Sequence, residues 1–132
     1  MSLTLNEALA CNDLGMARAK ELGVQVSLVI VDEFGQLVQL DRMDGAGLMT
    51  PDIAEAKAVT ALNFKRPTSQ VSKLDAETLK SIGAVVHFKV MALPGGVPIY
   101  DGPNLKGAIG VSGADARQDE EIANYALGAK QS

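Results

Sequence analysis

The sequence has one cysteine, Cys11, one histidine, His87, and no tryptophan. A single cysteine excludes an intrachain disulfide and any zinc site built from cysteine pairs of one chain, and it fits a reducing compartment. A single histidine excludes sites that need two imidazoles from one chain. Aromatic residues make up 4% of the chain, and no basic cluster stands out among 12 basic and 16 acidic residues. A nucleic-acid partner is therefore not expected.

Long apolar runs are also missing from the sequence. The first residues have neither the basic segment nor the apolar run of a secretion signal, and no later stretch approaches the length of a membrane span. We therefore expect a cytoplasmic protein without a membrane partner. The 132 residues are sufficient for one domain, residues 1–132, with an ordinary hydrophobic core.

The apolar periodicity predicts a helix, two strands, several helices, three strands and a final helix. Thr4 and Glu7 have the spacing of a capping box, and the helix that follows is predicted to end at Gly23. Its apolar stripe is interrupted by Asn12. The unbroken apolar run of residues 28–31 predicts a central strand that is covered on both faces. The predicted strands are residues 24–32, 36–43 and 85–93, a short strand that begins at Pro98, and residues 105–112.

Capping residues set the predicted ends of the later helices. Thr50 is a plausible N-cap for a helix over residues 51–64, and Thr68 for a short helix after it. Asp75 is predicted to cap a helix that stops at Gly83, and Asp115 a helix that ends near residue 127. Hairpin-like connections indicate an antiparallel sheet with helices, which is an α+β domain.

Glycines are concentrated around the last predicted hairpin. Gly107 and Gly110 lie inside a strand, where glycine requires a reason such as a bulge or close approach by another backbone or a ligand. Gly95 and Gly96, in the loop before the hairpin, require a reason of the same kind. Ser112 ends the strand. One hypothesis is that these residues leave room for and contact a small molecule. The alternative is that they only shape and pack the fold.

A set of charged residues accompanies this glycine motif. Arg42 or Arg66 could hold a carboxylate through the planar guanidinium, and Lys57 would act as a point charge. Asp32 or Asp119 could act as a catalytic base. Solvated charge or structural pairing is the alternative for each residue taken alone.

His87 is the only imidazole of the chain. It could serve as a proton shuttle or as an axial metal ligand, or it could be a half-buried residue on one face of the strand predicted for residues 85–93. Cys11 is predicted to be a buried small hydrophobe.

Several motifs occur in order along almost the whole chain. They are Arg42-Met43-Asp44-Gly45-Ala46, Ile53-Ala54-Glu55-Ala56-Lys57-Ala58, Arg66-Pro67-Thr68, Pro94-Gly95-Gly96-Val97-Pro98-Ile99 and Gly107-Ala108-Ile109-Gly110-Val111-Ser112-Gly113-Ala114, with Asp119 beyond. Together they resemble the GlcG/HbpS family of haem-binding domains, which also occurs as the carboxy-terminal domain of PduO-type proteins.

The resemblance implies a profilin-like α/β fold in which helices flank a five-stranded antiparallel sheet. It also implies assembly with itself into a homodimer or a larger oligomer such as an octamer. Haem or a related tetrapyrrole is the cofactor that it suggests, with His87 as the candidate iron ligand. Other residues able to ligate iron are Cys11, Met43, Met91 and Tyr100.

Two hypotheses from different classes therefore stand. The first is an oligomeric binding protein for haem or a related tetrapyrrole. The second is a cofactor-free enzyme or sensor for a small organic acid of a catabolic pathway, with the anion held by the Gly95-Gly96 loop and by Arg42, Lys57 or Arg66. The sequence leaves the ligand, the presence of turnover and the pathway open.

Overall fold

In the computed structural model, residues 2–128 form five helices and four strands. All strand pairs are antiparallel, and their order across the sheet is β2-β1-β4-β3. The helices are α1 (Leu5–Leu22), α2 (Thr50–Phe64), α3 (Thr68–Val71), α4 (Ala76–Val85) and α5 (Ala116–Ala126). The strands are β1 (Ser27–Asp32), β2 (Leu37–Arg42), β3 (Gly96–Asp101) and β4 (Asn104–Ser112).

Strand β1 lies in the interior of the sheet, and its side chains supply both hydrophobic cores. Leu28 and Ile30 point into the core on the side of α1 and α5, whereas Val29 and Val31 point into the core on the side of α2. All four are fully buried. The prediction that this apolar run is covered on both faces is confirmed, and the domain has three layers.

The sequence correctly predicted several local signals. The hydroxyl of Thr4 accepts a hydrogen bond from the N–H of Glu7, whose carboxylate accepts one from the N–H of Thr4, which completes the capping box of α1. Gly23 ends α1 with a φ of 72°. The side chains of Asp75 and Asp115 accept hydrogen bonds at the starts of α4 and α5. These contacts satisfy backbone N–H groups that have no partner within their helices.

The predicted five-stranded sheet has four strands, because residues 85–93 form no strand. Helix α4 does not stop at Gly83 but continues to Val85, and an irregular segment follows. Part of this segment is bonded to a helix instead of a strand. The hydroxyl of Thr60 in α2 accepts a hydrogen bond from the N–H of Met91 at 2.9 Å. An apolar run alone does not determine whether a sheet neighbour is available.

The predictions for Thr50 and Thr68 were also wrong, because neither residue caps a helix. Met49 is the N-cap of α2, and the hydroxyl of Thr50 donates to the carbonyl of Gly47 at 2.7 Å. Pro67 precedes α3, and Thr68 is buried. Both threonines use their hydroxyls to bond to other segments, as described below for Thr68.

The glycine hairpin is confirmed, and the reason for Gly110 is close packing of the backbone. Gly110 faces α2, and a Cβ added to it would collide with the carbonyl oxygen of Ala54 and lie 2.8 Å from the backbone nitrogen of Ala58. Gly107 approaches the carbonyl oxygen of Val31 in the same way. The space beside both glycines is therefore occupied by protein, which contradicts the hypothesis that β4 leaves room for a small molecule there.

We expect Gly110→Ala to lower the free energy of unfolding by at least roughly 1–3 kcal/mol, because the added methyl group meets helix backbone. Chemical denaturation measures the change. Gly83→Ala is the matched control, since its Cβ would have only Val90 Cγ2 nearby, at 4.0 Å, and it lies within α4. Alanine there should be neutral or stabilise by about 0.5–1 kcal/mol. Equal stability of the two variants would contradict the packing explanation.

Candidate functional site

A buried ion pair connects the two helical layers at one end of the sheet. Lys57 Nζ of α2 donates to Asp119 Oδ2 of α5 at 3.1 Å, and the two side chains are 4% and 5% exposed. The same ammonium donates to the carbonyl oxygen of Val111 in β4 at 2.8 Å. Asp119 Oδ1 accepts a hydrogen bond from the N–H of Ala114 at 3.0 Å. The pair is therefore held by α2, α5 and β4 together.

The Gly95-Gly96 loop lies directly against this ion pair. Gly95 has a φ of 128°, and a Cβ added to it would lie 2.5 Å from the carbonyl oxygen of Val111 and 2.9 Å from Lys57 Nζ. The N–H of Gly96 donates to the hydroxyl of Thr68 at 2.9 Å. Thr68 in turn donates to the carbonyl oxygen of Leu93 at 2.5 Å. In this arrangement the loop packs over the ion pair, and the Gly96 N–H is already engaged.

Burial has the largest effect on the pKa of Asp119 in this pair. It raises the pKa of Asp119 above its ordinary value of 3.8, because removal from water disfavours the carboxylate. The Lys57 ammonium and the N–H of Ala114 partly offset this rise in the pKa. Both oxygens of Asp119 accept hydrogen bonds, so the geometry gives the residue a structural role beside its predicted role as a base.

Ser112 and Arg42 lie near the same end of the sheet, in one row across three strands. Ser27 of β1 is opposite Arg42 of β2 on one side and opposite Ser112 of β4 on the other. Ser112 is buried, whereas Arg42 is exposed and donates through Nη1 to the carbonyl oxygen of Ala46 at 3.1 Å. The Ser27 hydroxyl contacts that of Thr50 at 2.8 Å.

Asp32 and Arg66 are placed elsewhere. Asp32 ends β1 at the level of Gly107, and its Oδ1 accepts hydrogen bonds from the N–H groups of Phe34 and Gln36 in the turn to β2. Arg66 is exposed after α2, and its Nε donates to the carbonyl oxygen of Phe64 at 3.3 Å. The structure therefore brings Lys57 and Asp119 to the glycine loop but does not gather all the predicted charges in one cleft.

His87 is exposed in the irregular segment after α4. Within residues 2–128, no hydrogen bond or ion pair of its ring is found. A cavity of about 310 Å³ lies between this segment and α2. Its lining residues are Asp52, Glu55, Ala56, Val59, Phe88 and Lys89. The imidazole is available to a ligand at the surface, on an irregular segment and not on the face of a strand.

Sequence reasoning missed one polar network. Asn12 Nδ2 of α1 donates to Asp41 Oδ2 of β2 at 2.7 Å, and Gln39 Nε2 donates to Asp41 Oδ1 at 2.7 Å. The available signal was the polar Asn12 on an otherwise apolar helical stripe. That signal does not identify the partner, because a helix stripe carries no information about the strand that it covers.

Within residues 2–128, the structure shows neither a metal-binding cluster nor a helix that could span a membrane. Residues 2–128 contain no group of three or more His, Cys, Asp or Glu side chains that could hold a metal ion. None of the helices in that range combines the length and apolar character needed to cross a membrane.

Fold and site together define a three-layer α+β domain whose helical layers are joined by a buried ion pair beneath a glycine loop. A family model described as "Haem degrading protein HbpS-like" matches residues 3–128. The chain belongs to this HbpS-like family, which confirms the resemblance found in the sequence. The resemblance also implied a five-stranded sheet, and that part of the expectation is wrong, because the sheet has four strands.

Named relatives support the same assignment. The corrinoid adenosyltransferase PduO of Citrobacter freundii is 32% identical over 131 residues, which cover 98% of this chain but only 39% of PduO. Klebsiella pneumoniae protein ORFY has a crystal structure similar to this fold, with a TM-score of 0.92, 27% identity and coverage of 98% of this chain and 91% of ORFY. The crystal structure of a PduOC:heme complex gives a TM-score of 0.91 at 28% identity, with coverage of 99% and 96%.

We expect Lys57→Met to lower the free energy of unfolding by about 3–5 kcal/mol at pH 7.5, because it leaves a buried carboxylate without its counter-ion. The pKa of Asp119 is already raised in the folded chain, and loss of Lys57 raises it further. A raised pKa means that the folded state binds the proton more tightly, so stability falls as pH rises through the window above 3.8. The penalty should therefore be smaller at pH 5 than at pH 7.5.

Urea denaturation at the two pH values measures this difference. Lys57→Met combined with Asp119→Leu is the control, because it removes both charges and should recover most of the lost stability. A penalty of Lys57→Met that does not change with pH would contradict the account of the ion pair.

Proposed function

We propose that this chain is a cytoplasmic, oligomeric protein that binds haem or a related tetrapyrrole, with His87 as an axial iron ligand. Membership of the HbpS-like family and the similarity to the PduOC:heme complex support the proposal. The observation that carries the proposal is the exposure of His87, the only imidazole of the chain. It is exposed, and no partner within residues 2–128 engages its ring.

The surroundings of His87 fit a tetrapyrrole. An axial imidazole holds the iron, and the apolar macrocycle needs apolar side chains beside it. Val85, at the end of α4, and Leu93, in the segment that follows, are large exposed apolar residues, and Phe88 is half-buried next to His87 in sequence. Lys89 is exposed and can pair with a carboxylate of the macrocycle. Bound haem would supply an iron centre, and the protein residues would orient and partly enclose it.

A second copy of the chain would complete this site. None of the ten residues of α4 is buried, although the helix has an apolar face. Val85, at the end of α4, is 77% exposed. A planar macrocycle has two faces, and the segment around His87 in one chain can cover only one of them. We therefore place α4 and His87 at an interface between copies, in a homodimer or a larger oligomer such as an octamer.

The alternative function, a cofactor-free enzyme or sensor for a small organic acid, has less support from the geometry. The N–H of Gly96 is engaged by Thr68, and Lys57 is engaged by Asp119 and by a carbonyl oxygen. Arg66 lies after α2 and bonds to the backbone there. Binding of two- to four-carbon acids, measured by thermal shift without haem, would favour this alternative.

His87→Ala should abolish the Soret band that develops when the purified protein is titrated with haem, because the axial ligand is lost. Free imidazole added to the variant should restore the band. Lys73→Ala is the control, since Lys73 is exposed just before α4 and its side chain has no hydrogen bond or ion pair within the described residues. It should titrate like the unmodified protein. A Soret band of His87→Ala equal to that of the control would remove His87 from the site.

Val85→Asp should shift the protein to a smaller assembly, because it places a charge in the proposed apolar interface. Sedimentation velocity measures the change in mass. The melting temperature of the isolated chain should change little, since Val85 is 77% exposed. Lys80→Asp, on the exposed surface of the same helix, controls for added negative charge. An unchanged assembly in both variants would contradict an interface at α4.

A further inference from the structure

Strand β2 forms one edge of the sheet, and its outer side is open. On its inner side, the N–H of Met43 donates to the carbonyl oxygen of Val26, just before β1, at 3.0 Å. Because backbone groups alternate along an antiparallel pair, the N–H and C=O groups of Leu40 and Arg42 point away from β1. Within residues 2–128, these groups make no hydrogen bond to another segment. Strand β2 contains neither proline nor lysine, which commonly protect a sheet edge, so a further strand can pair with it.

An apolar surface runs along β2 on the side of α2. Leu37 and Leu40 are opposite Val31 and Val29 of β1, and both valines point into the core under α2. Directly opposite residues share a face of the sheet, so Leu37 and Leu40 also point to the α2 side. Both leucines are nevertheless exposed, because α2 lies mainly over β4 and β1. This face of β2 has no cover within the described chain.

Large exposed apolar side chains continue this surface beyond both ends of β2. Phe34 lies in the turn before the strand, and Leu48 and Met49 lie in the loop after it. The hydroxyl of Thr50, the next residue, contacts that of Ser27, which is opposite the last residue of β2. The loop residues therefore lie close to the end of the strand. We call these five apolar residues the β2 strip: Phe34, Leu37, Leu40, Leu48 and Met49.

The β2 strip is large enough for a stable interface between two chains. Its exposed fractions range from 36% for Leu40 to 91% for Leu48. For side chains of this size, the exposed area is roughly 600 Å² in one copy and roughly 1,200 Å² in two. The larger figure reaches the lower end of the range for specific protein–protein interfaces, before any backbone contact is counted. An apolar patch of this size on one chain indicates a partner.

The polar residues of β2 match a second copy of the same strand. The register shift between β1 and β2 lies near the start of β2, so residues 39–42 form its regular part. Antiparallel pairing about a two-fold axis at Leu40 sets Asp41 opposite the amide of Gln39 in the second copy, and an amide donates to a carboxylate. An axis at Asp41 would set two carboxylates opposite each other, which is destabilising. The charges of the strand therefore favour pairing centred on Leu40.

The same two-fold axis brings the two β2 strips together. Paired antiparallel strands run in opposite directions, so the apolar residues before β2 in one copy lie beside those after β2 in the other. Each end of the strip thus meets the opposite end of its copy. A patch that is complementary to itself in this way is the property that a two-fold interface requires.

We infer that the β2 edge binds a second copy of this chain, which joins the two four-stranded sheets into one antiparallel sheet of eight strands. The contact uses neither α4 nor His87, so it does not depend on the proposed function. A chain with this two-fold contact and a second one at α4 assembles beyond a dimer.

Sedimentation velocity of the Val85→Asp variant tests this contact in the absence of the proposed α4 interface. We expect a dimer, because the β2 edge is intact. Adding Leu48→Asp should raise the dissociation constant of that dimer at least about tenfold, because it places a charge in the β2 strip. Leu5→Asp, added instead, is the matched control, since Leu5 is an exposed leucine of α1 outside the strip. It should change the constant by less than about twofold.

A monomeric Val85→Asp variant, or equal effects of Leu48→Asp and Leu5→Asp, would overturn the inference. If Val85→Asp leaves the assembly unchanged, the interface at α4 is refuted. The β2 contact is then decided by Leu48→Asp alone, which should lower the mass of the assembly, and an unchanged mass would refute this contact too. The two proposals therefore fail by different results.

Cross-linking tests where the two-fold axis lies. Cys11, the only native cysteine, is fully buried, so Leu40→Cys supplies the accessible thiol. A short bis-maleimide should join two copies of Leu40→Cys, because residue 40 lies beside its own copy. Asn124→Cys is the control, since Asn124 is exposed on α5 and lies outside the β2 strip. Absence of a cross-linked dimer of Leu40→Cys, or an equal yield from Asn124→Cys, would refute the contact.

Discussion

The Lys57–Asp119 ion pair is the constraint on which the arrangement of the fold depends. Two charges removed from water must have each other and further hydrogen bonds, or they destabilise the folded chain strongly. The carbonyl of Val111 and the N–H of Ala114 supply those further bonds. Because Lys57 belongs to one helical layer and Asp119 to the other, the two layers can dock on the sheet only in a register that brings these atoms together.

The glycine motif follows from the same constraint. The ion pair fills the space where the side chain of residue 95 would lie, and the backbone of α2 fills the space beside residues 96 and 110. Glycine is required at these positions because charged groups and helix backbone approach them, which was one of the two explanations left open by the sequence. The haem site proposed for this domain is therefore at the exposed His87 segment and not at these glycines.

Sequence reasoning succeeded where a signal is local. The capping box at Thr4, the helix caps at Asp75 and Asp115 and the doubly covered strand β1 were predictable, because each depends on residues close together in the chain. It failed where the partner is distant. Residues 85–93 have the composition of a strand, but they pair with no strand of the described sheet. The hydroxyls of Thr50 and Thr68 contact Ser27 and Gly96, which their sequence neighbours do not specify.

The candidate site shows the same limit. Lys57 and Asp119 could be selected as unusual charges, but their pairing spans 62 positions of sequence and was not derivable from spacing. Asn12 was visible as an interruption of an apolar stripe, whereas its partner Asp41 was not. The family resemblance identified the family correctly, because it depends on ordered motifs along the whole chain, but it implied five strands where the sheet has four.

Helix α4 has a consequence for motion. Since none of its residues is buried within the chain, its separation from the rest of the domain exposes little additional apolar surface. Helix α4 can therefore separate from the domain and return while the sheet and the other helices stay folded. Its amide hydrogens should exchange with solvent faster than those of β1. A ligand or a second subunit that binds and orders this segment would slow its exchange, and it would also raise the global stability of the chain, because it binds only the folded state.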